Sequence, residues 1–310
     1  LKPAPVLALL RKLAKGRETL ETVTDRIFQG LKTSADDVYV LDVVHSGKSV
    51  IRARSPELDE EVQLEADLCH PLIKGTEMRP YVPLPHLRVV LFPYAPGEGG
   101  RVGLIAEKRL KSEFPMTWKY LLANRTTLEK REGGKHRGPG WYGYGRSQAL
   151  DVMALPKLLT PDLAPKSSFL IDESGDTFIL GGAAGGYGLL PKDGIDSLCL
   201  LGLLNSSLLS FAMTAGGQQM ESGYYSFEAR FIRSAPIELP AGKEATRFRS
   251  LVEQMLHTKR QLLAAKSPHE KTRLERQAES AQEEIDEAVF DLYGVSPDEI
   301  EIVKAETARP

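Results

Sequence analysis

Cysteine and histidine are scarce in this 310-residue sequence, and neither occurs in a spacing typical of metal sites or disulfide frameworks. The two cysteines, Cys69 and Cys199, lie far apart without a CxxC pair, so we predict that both are small core residues. The six histidines show no HxxxH or Cys–His spacing. We therefore expect no metal site and no disulfide framework, and a cytoplasmic location is the default expectation.

Long hydrophobic runs are missing too. No apolar run reaches the roughly 20 residues that span a bilayer, and the N-terminus lacks a signal-peptide pattern. The longest candidate, "SLCLLGLLNSSLLSFAMTAG" (197–216), is interrupted by Asn205, Ser206 and Ser207. This segment predicts a buried helix, and we expect no membrane partner.

Catalytic motifs are also absent from the sequence. A cofactor-binding turn should leave a hydrophobic strand and enter a helix, which neither "WYGYG" (141–145) nor "GGAAGGYG" (181–188) does. No Pro-Pro pair occurs, so the Asn/Asp-Pro-Pro-aromatic site of amino-methyltransferases is missing, and Pro161-Asp162 is followed by no acid-x-Lys triplet of a metal-dependent nuclease. We expect no catalytic, cofactor-binding or metal site here, and the glycines predict turns or close backbone approaches.

Charge is nearly balanced over the whole chain, which carries a formal charge of −2, but it is not balanced locally. Between residues 108 and 146, ten lysines and arginines face three acids. Such a surplus suits a polyanion, because contacts to phosphates release counterions and supply sequence-independent affinity. The alternative is a solvated helix face followed by a mobile loop.

The end of this basic stretch, "REGGKHRGPGWYGYGR" (131–146), combines cations, aromatic rings and glycines. Its arginines and Lys135 can clamp phosphates or, for an arginine, pair with guanine, while Tyr142 and Tyr144 can stack on bases or wedge between them. A ring flanked by glycines is a poor candidate for a core anchor. The alternative for these rings and for Trp141 is packing against the domain itself.

The elements predict an α+β fold with a mixed sheet, followed by an antiparallel C-terminal helix pair. "SFLIDESGDTFIL" (168–180) has the alternation and the turn of a β-hairpin. "SPHE" (267–270) and "SPDE" (296–299) are typical of capping boxes, and Gly294 predicts a helix end. We divide the chain into a linker helix (1–20), a mixed domain (21–240) and a helical domain (241–310).

Several blocks, in order, resemble the TaqI-like specificity domain, the target-recognition half of adenine-specific DNA methyltransferases and of fused restriction-modification enzymes. The match begins with "RIFQGLKTSADDVYVL" (26–41) and covers nearly all of the chain from about residue 21. The further blocks are "HPLIKGTEMRPY" (70–81), "VVLFPY" (89–94), "FPMTWKYLLANRTTLEKRE" (114–132), "LPKLLTP" (155–161), "LLGLLNSSLLSFAM" (200–213), "SGYYSFEARFIRSAPI" (222–237) and "IDEAVFDLYGVSPDEIEIV" (285–303).

The resemblance implies a module that grips and reads double-stranded DNA, with a catalytic domain N-terminal to it that binds S-adenosylmethionine. A chain that starts at Leu1 rather than at Met agrees with that expectation. The alternative is a protein-interaction scaffold or a phage-defence module without sequence discrimination. The predicted DNA contacts are Lys32, Thr33, Lys74, Arg79, Lys130, Arg131, Lys135, His136, Arg137, Tyr142, Tyr144, Arg146, Tyr224, Arg230 and Arg233.

Overall fold

A computed structural model describes residues 2–83, 87–97, 101–217, 219–220 and 223–307. The strands are β1 (Glu18–Thr19), β2 (Thr24–Gln29), β3 (Val40–Ser46), β4 (Val50–Ser55), β5 (Glu60–Glu65), β6 (Cys69–Ile73), β7 (Arg88–Leu91), β8 (Tyr94–Pro96), β9 (Val102–Leu104), β10 (Lys157–Pro161), β11 (Leu163–Ala164), β12 (Leu170–Asp172), β13 (Phe178–Ile179), β14 (Gly186–Pro191), β15 (Tyr225–Ser226) and β16 (Pro236–Ile237).

The helices are α1 (Ala4–Ala14), α2 (Asp36–Tyr39), α3 (Glu107–Glu113), α4 (Pro115–Ala123), α5 (Arg125–Gly134), α6 (Ser197–Leu204), α7 (Ser207–Gly216), α8 (Ala229–Ile232), α9 (Gly242–Ala264), α10 (Pro268–Tyr293) and α11 (Pro297–Thr307). Short 3-10 helices occupy Ala66–Leu68 and Gly75–Glu77. The predicted α+β class with C-terminal helices is confirmed.

Two sheets form the frame of the fold. The larger has the strand order β13-β6-β7-β3-β4-β5, in which β13 runs parallel to β6 and the other neighbours are antiparallel. The smaller has the order β12-β10-β14-β2 and is antiparallel throughout. The two sheets meet where Leu31, just after β2, bridges to Leu180, just after β13.

The fold has two hydrophobic cores, and the four-stranded sheet contributes to both. The first core holds the six-stranded sheet, α3, α4, α5, the aromatic residues that follow α5, and Phe28, Leu159 and Leu170 of the four-stranded sheet, whereas the second holds Leu158 and Leu189 of that sheet with α1 and α6 to α11. Val6, Leu9 and Leu13 of α1 are buried in the second core. That core includes residues on both sides of position 240. The division at residues 20 and 240 stays a prediction, and α1 packs as a core helix rather than extending away as a free linker.

The predicted hairpin at 168–180 is wrong. Its two strands join different sheets, since β12 pairs with β10 and β13 pairs with β6. The turn between them exists, but the Asp172 carboxylate stabilises it by accepting from Thr177 N at 3.0 Å and from the buried Lys157 Nζ at 2.6 Å. A buried ion pair that ties the turn to β10 therefore replaces the cross-strand pairing that alternation predicts.

The helix signals near the C-terminus are confirmed in most details. Ser296 and Glu299 form a reciprocal capping box, while Ser267 accepts from Glu270 N without a returning side-chain bond in the described ranges. Gly294 ends α10 at φ 62°. The predicted 197–216 helix is two buried helices, α6 and α7, bent by 64°. Within the described ranges, no single helix has the length and apolar character needed to cross a membrane.

Asn205 separates these two helices and is buried. Its side-chain amide accepts from Phe169 N and donates to Phe169 O, both at 2.8 Å. This bidentate bond uses the backbone of a distant loop as its partner, so Asn205 fixes the bend and is not available to a base.

Candidate nucleic-acid interface

Arg131 is buried, not exposed as a phosphate contact requires. Only 7% of its surface is exposed, and its guanidinium donates to the carbonyl oxygens of Thr33 (2.8 Å), Trp141 (2.7 Å) and Gly143 (2.9 Å). The chain leaves helical geometry at Arg131 (φ −52°, ψ 142°) and turns at Glu132 (φ 47°), which directs the arginine inward. The predicted DNA contact at Arg131 is corrected: its donors hold two backbone segments, at Thr33 and at 141–143, against the end of α5.

Tyr142 and Tyr144 are also buried, so the expectation that their rings are free to wedge into DNA is wrong. Tyr142 Oη donates to Ile105 O at 2.8 Å, and Tyr144 Oη donates to Leu91 O at 2.6 Å. Trp141 packs with its ring 5.8 Å from that of Trp118. The alternative interpretation, packing against the domain itself, is confirmed. We call Arg131, Trp141, Tyr142 and Tyr144 the loop root.

The residues between Arg131 and Trp141 have a different environment, and we call 133–139 the loop tip. Lys135 and Arg137 are exposed and form no ion pair within the described ranges, as is also true of the preceding Lys130. Burial and the nearby Arg131 charge lower the pKa of His136, so this imidazole is neutral at neutral pH. The tip offers free cations, while His136 offers a neutral ring.

The "GLKT" segment (30–33) lies beside this loop. Gly145 N donates to Thr33 O at 3.0 Å and Arg146 N donates to Lys32 O at 3.1 Å. The Arg146 side chain donates to Glu132 Oε1 at 2.7 Å. Two segments chosen separately from the sequence are therefore neighbours.

Thr33 does not contribute a surface hydroxyl to this region. The residue is fully buried, and its Oγ1 donates to the Asp36 carboxylate and accepts from Ala35 N at 3.0 Å, at the start of α2. The predicted phosphate contact at Thr33 is corrected, because its hydroxyl is consumed in a local turn. Lys32, half-buried, keeps an ammonium without a hydrogen bond in the described ranges.

The glycine-rich segment 181–186 forms a crossing point of several backbones, which we call the glycine junction. Gly75 N donates to Ala184 O at 2.9 Å, and Asp162 N donates to Gly185 O at 3.1 Å. A Cβ atom added to Gly75 would lie 2.1 Å from Gly185 O, so no larger residue fits. The predicted close backbone approach is confirmed.

Cations follow the line from the loop tip to the glycine junction. Arg146 and Lys135 are near enough to His136 to lower the pKa of its imidazole, and Lys32 and Arg230 both oppose the rise in the pKa of Asp162. Arg230 also pairs with Glu228 at 3.0 Å. We call this set the basic belt: Lys135, Arg137, Arg146, Lys32 and Arg230.

The remaining predicted contacts have weaker links to the belt. Lys74 precedes Gly75 and so reaches the glycine junction. Arg79 donates to Thr76 O and Met78 O, Arg233 approaches Glu21 at 3.6 Å, and Tyr224 is exposed. Within the described part of the chain, no hydrogen bond or ion pair joins these last three to the belt. Whether they contact DNA stays a prediction.

Sequence reasoning missed a row of polar groups along the belt. Gln148 Nε2 donates to Gln29 Oε1 at 3.3 Å and to Gly30 O at 2.9 Å, and Gln29 Nε2 donates to Tyr187 Oη at 3.3 Å. Burial, then the charges of Asp162 and Glu228, raise the pKa of Tyr187 to about 12, so its hydroxyl stays protonated. The only sequence signal was position: Gln29 directly precedes "GLKT", and Gln148 follows Arg146 by two.

The described residues contain no group of three or more histidine, cysteine or acidic side chains that could hold a metal ion. Cys69 and Cys199 are buried free thiols, as predicted.

Two curated proteins are similar to this chain. It is 23% identical to the type II methyltransferase M.PaeR7I of Pseudomonas aeruginosa over 299 residues, which are 96% of this chain and 43% of that protein. The chain is similar to type II methyltransferases. A second, M.BanIII of Aneurinibacillus aneurinilyticus, is 23% identical over 233 residues, or 73% of this chain and 37% of that protein. The chain spans about two fifths of the length of these relatives. No family model matches it.

Proposed function

We propose that this chain is the DNA sequence-specificity domain of a restriction-modification enzyme with an adenine-specific methyltransferase activity. The observation that carries the proposal is the basic belt, in which cations from three separate segments extend from the loop tip to the glycine junction. Cations aligned along a surface suit the phosphate backbone of DNA. Similarity to two type II methyltransferases over most of this chain supports the same role.

In this proposal, methyl transfer belongs to a separate domain upstream, which binds S-adenosylmethionine, and the enzyme works in the cytoplasm. The chain spans only part of its relatives, so room for such a domain exists in proteins of their length. We expect the chain alone to transfer no methyl group from labelled S-adenosylmethionine to DNA. Transfer by the purified chain would contradict this division of labour.

Binding of a labelled duplex over a series of salt concentrations tests DNA recognition directly. If the five belt cations each meet a phosphate, a plot of log affinity against log salt should have a slope of about −4 to −5. Lys135→Ala should make the slope shallower by about one and weaken binding equally on all sequences. Lys304→Ala is the matched control, because Lys304 lies on α11 and pairs with Glu301 at 3.2 Å, away from the belt.

The Arg137→Ala variant distinguishes a base contact from a phosphate contact at this position. If Arg137 forks onto guanine, the variant should lose about 1 to 3 kcal/mol on the cognate duplex alone. Equal loss on all duplexes would make it a phosphate contact instead. A slope near zero for the unmodified chain would contradict DNA binding and favour the protein-interaction scaffold.

A further inference from the structure

Asp162 is a largely buried acid at the glycine junction, and no described residue donates a hydrogen bond to its carboxylate. It follows the last residue of β10, and only 7% of its surface is exposed. Its backbone is fixed on both sides, because Asp162 N donates to Gly185 O at 3.1 Å and Asp162 O accepts from Phe227 N at 2.8 Å. Its carboxylate accepts no hydrogen bond from any described residue, and its oxygens are not among the fully buried atoms that lack a partner, so the carboxylate still reaches solvent. A carboxylate that reaches solvent from a fixed backbone, and whose lone pairs no described residue uses, is open to a ligand that donates.

Neighbouring charges have opposite effects on the pKa of the Asp162 carboxylate. Burial and the neighbouring Glu228 raise its pKa, while Lys32 and Arg230 pull it down without removing the shift. Arg230 already forms an ion pair with Glu228 at 3.0 Å. The two cations that could neutralise Asp162 therefore flank it rather than bond to it.

Donors and acceptors of a fixed orientation lie next to Asp162. The row Gln148–Gln29–Tyr187 is hydrogen-bonded along its length, and the charge of Asp162 raises the pKa of Tyr187. A Cβ atom added to Gly181 would lie 2.8 Å from Gln29 Cγ, so the glycine lets the amide lie directly on the junction. Preorganised polar groups beside an unmet acceptor are what reading a base edge requires.

We propose that the Asp162 carboxylate determines specificity by accepting a hydrogen bond from the exocyclic amino group of a target base, while Lys32 and Arg230 contact phosphates beside it. Cytosine N4 and adenine N6 share this amino chemistry. The inference rests on the proposed function, because it assigns one base contact to the same surface. A metal ion fits less well, since no group of three candidate ligands occurs in the described residues.

The test is a selection of duplexes from a randomised library by the full chain, followed by sequencing. The unmodified chain should enrich a motif with a position restricted to adenine or cytosine, and the identity of that base says which amino group is read. Asp162→Leu keeps roughly the shape of the side chain but removes both acceptor oxygens, so it should reduce the preference at that one position roughly tenfold or more. Asp193→Leu is the matched control, because it makes the same exchange in an exposed turn and should leave the motif unchanged.

A second measurement needs no variant. Duplexes of the selected motif are made with purine for adenine, or pyrimidin-2-one for cytosine, one position at a time. The unmodified chain should bind one of these analogues roughly tenfold or more weakly, and Asp162→Leu should bind it no more weakly than the natural duplex. We expect Asp162→Leu to melt no lower than the unmodified chain, because it removes a charge that burial disfavours.

The outcomes separate the two proposals. If the chain binds DNA and enriches a motif, but Asp162→Leu enriches the same motif or no analogue weakens binding, Asp162 does not read a base and the inference is overturned while the proposed function stands. If the unmodified chain binds DNA without enriching any motif, sequence recognition itself fails. If it binds no DNA, the proposed function fails and the inference with it.

Discussion

The loop root and the loop tip are adjacent in sequence, but they have opposite environments. The root's Arg131 and its two tyrosines direct their polar atoms at backbone carbonyl oxygens inside the domain. The tip's Lys135 and Arg137 are exposed and unpaired within the described ranges. An arginine beside glycines and tyrosines is therefore not evidence of a DNA contact in itself. What separates the two arginines is that Arg131 donates to four backbone carbonyl oxygens, whereas the Arg137 side chain forms no hydrogen bond in the described ranges.

The largest effect should come from removing the centre of the root. Arg131→Ala should lower the free energy of unfolding by about 3 to 5 kcal/mol, because it removes four buried hydrogen bonds from the guanidinium to backbone carbonyl oxygens. Urea denaturation measures this difference. Arg137→Ala is the matched control and should change stability by less than about 0.5 kcal/mol. Equal stability of the two variants would remove the distinction between root and tip.

The next largest effect should be a loss of stability at acidic pH, caused by His70 in the aromatic cluster that packs against Tyr144 of the loop root. His70 stacks on Phe178 with ring centres 4.1 Å apart, and burial lowers its pKa to about 4. An unfolded histidine binds its proton near pH 6.5, so the stability linked to a neutral His70 is present above that pH and is lost as the pH falls towards 4. At pH 4.5 the loss should be about 2 to 3 kcal/mol relative to pH 7.

This loss is measured as the difference in the free energy of unfolding between pH 7 and pH 4.5. His70→Gln should shrink that difference by the same amount, although it is somewhat less stable at pH 7. A pH difference that is unchanged in the variant would mean that other groups cause the acid sensitivity.

A smaller effect should follow from removing one hydroxyl of the root. Tyr144→Phe keeps the ring but loses the 2.6 Å bond to Leu91 O, which should lower stability by about 1 to 2 kcal/mol. Thermal melting measures the change, with the exposed Tyr224→Phe as control. A Tyr144→Phe variant as stable as the control, but weaker in DNA binding, would restore the tyrosine to the interface.

The smallest effect on stability should come from the tip. Lys135→Ala should change the free energy of unfolding by less than about 0.5 kcal/mol, because its side chain makes no ion pair in the described ranges. The melting temperature should therefore stay close to that of the unmodified chain. The same protein sample gives the salt dependence of DNA binding, so stability and affinity are compared directly. A marked loss of stability would show that the tip is also part of the packed structure.

Much of the fold could be predicted from local signals. Gly294 and the Ser296–Glu299 pair determine where α10 ends and α11 begins, because caps satisfy backbone groups within a few residues. The hairpin at 168–180 could not be predicted correctly, since a buried lysine on another strand decides the pairing of β12. Local patterns cannot report a partner that is distant in sequence.

The candidate site could be predicted only in part, because local patterns identify single residues but not their distant neighbours. The sequence identified Lys32, Arg146 and Arg230 by charge and by their glycine or aromatic neighbours, and the structure brings their segments together at the glycine junction. It did not identify Asp162 or Gln29 as neighbours of those cations, because neither forms a motif of its own. Their grouping depends on which backbones cross at the glycines.

The sequence by itself determined the inventory: a local excess of cations, glycines where backbones approach closely, and helix ends fixed by caps. These properties depend on residues a few positions apart, so they can be inferred before the chain folds. Only the tertiary structure decided which of those groups face solvent. Arg131 and Tyr144 can turn inward because their polar groups donate there to the carbonyl oxygens of Thr33 and Leu91, whereas Lys135 is exposed and forms no hydrogen bond or ion pair within the described residues.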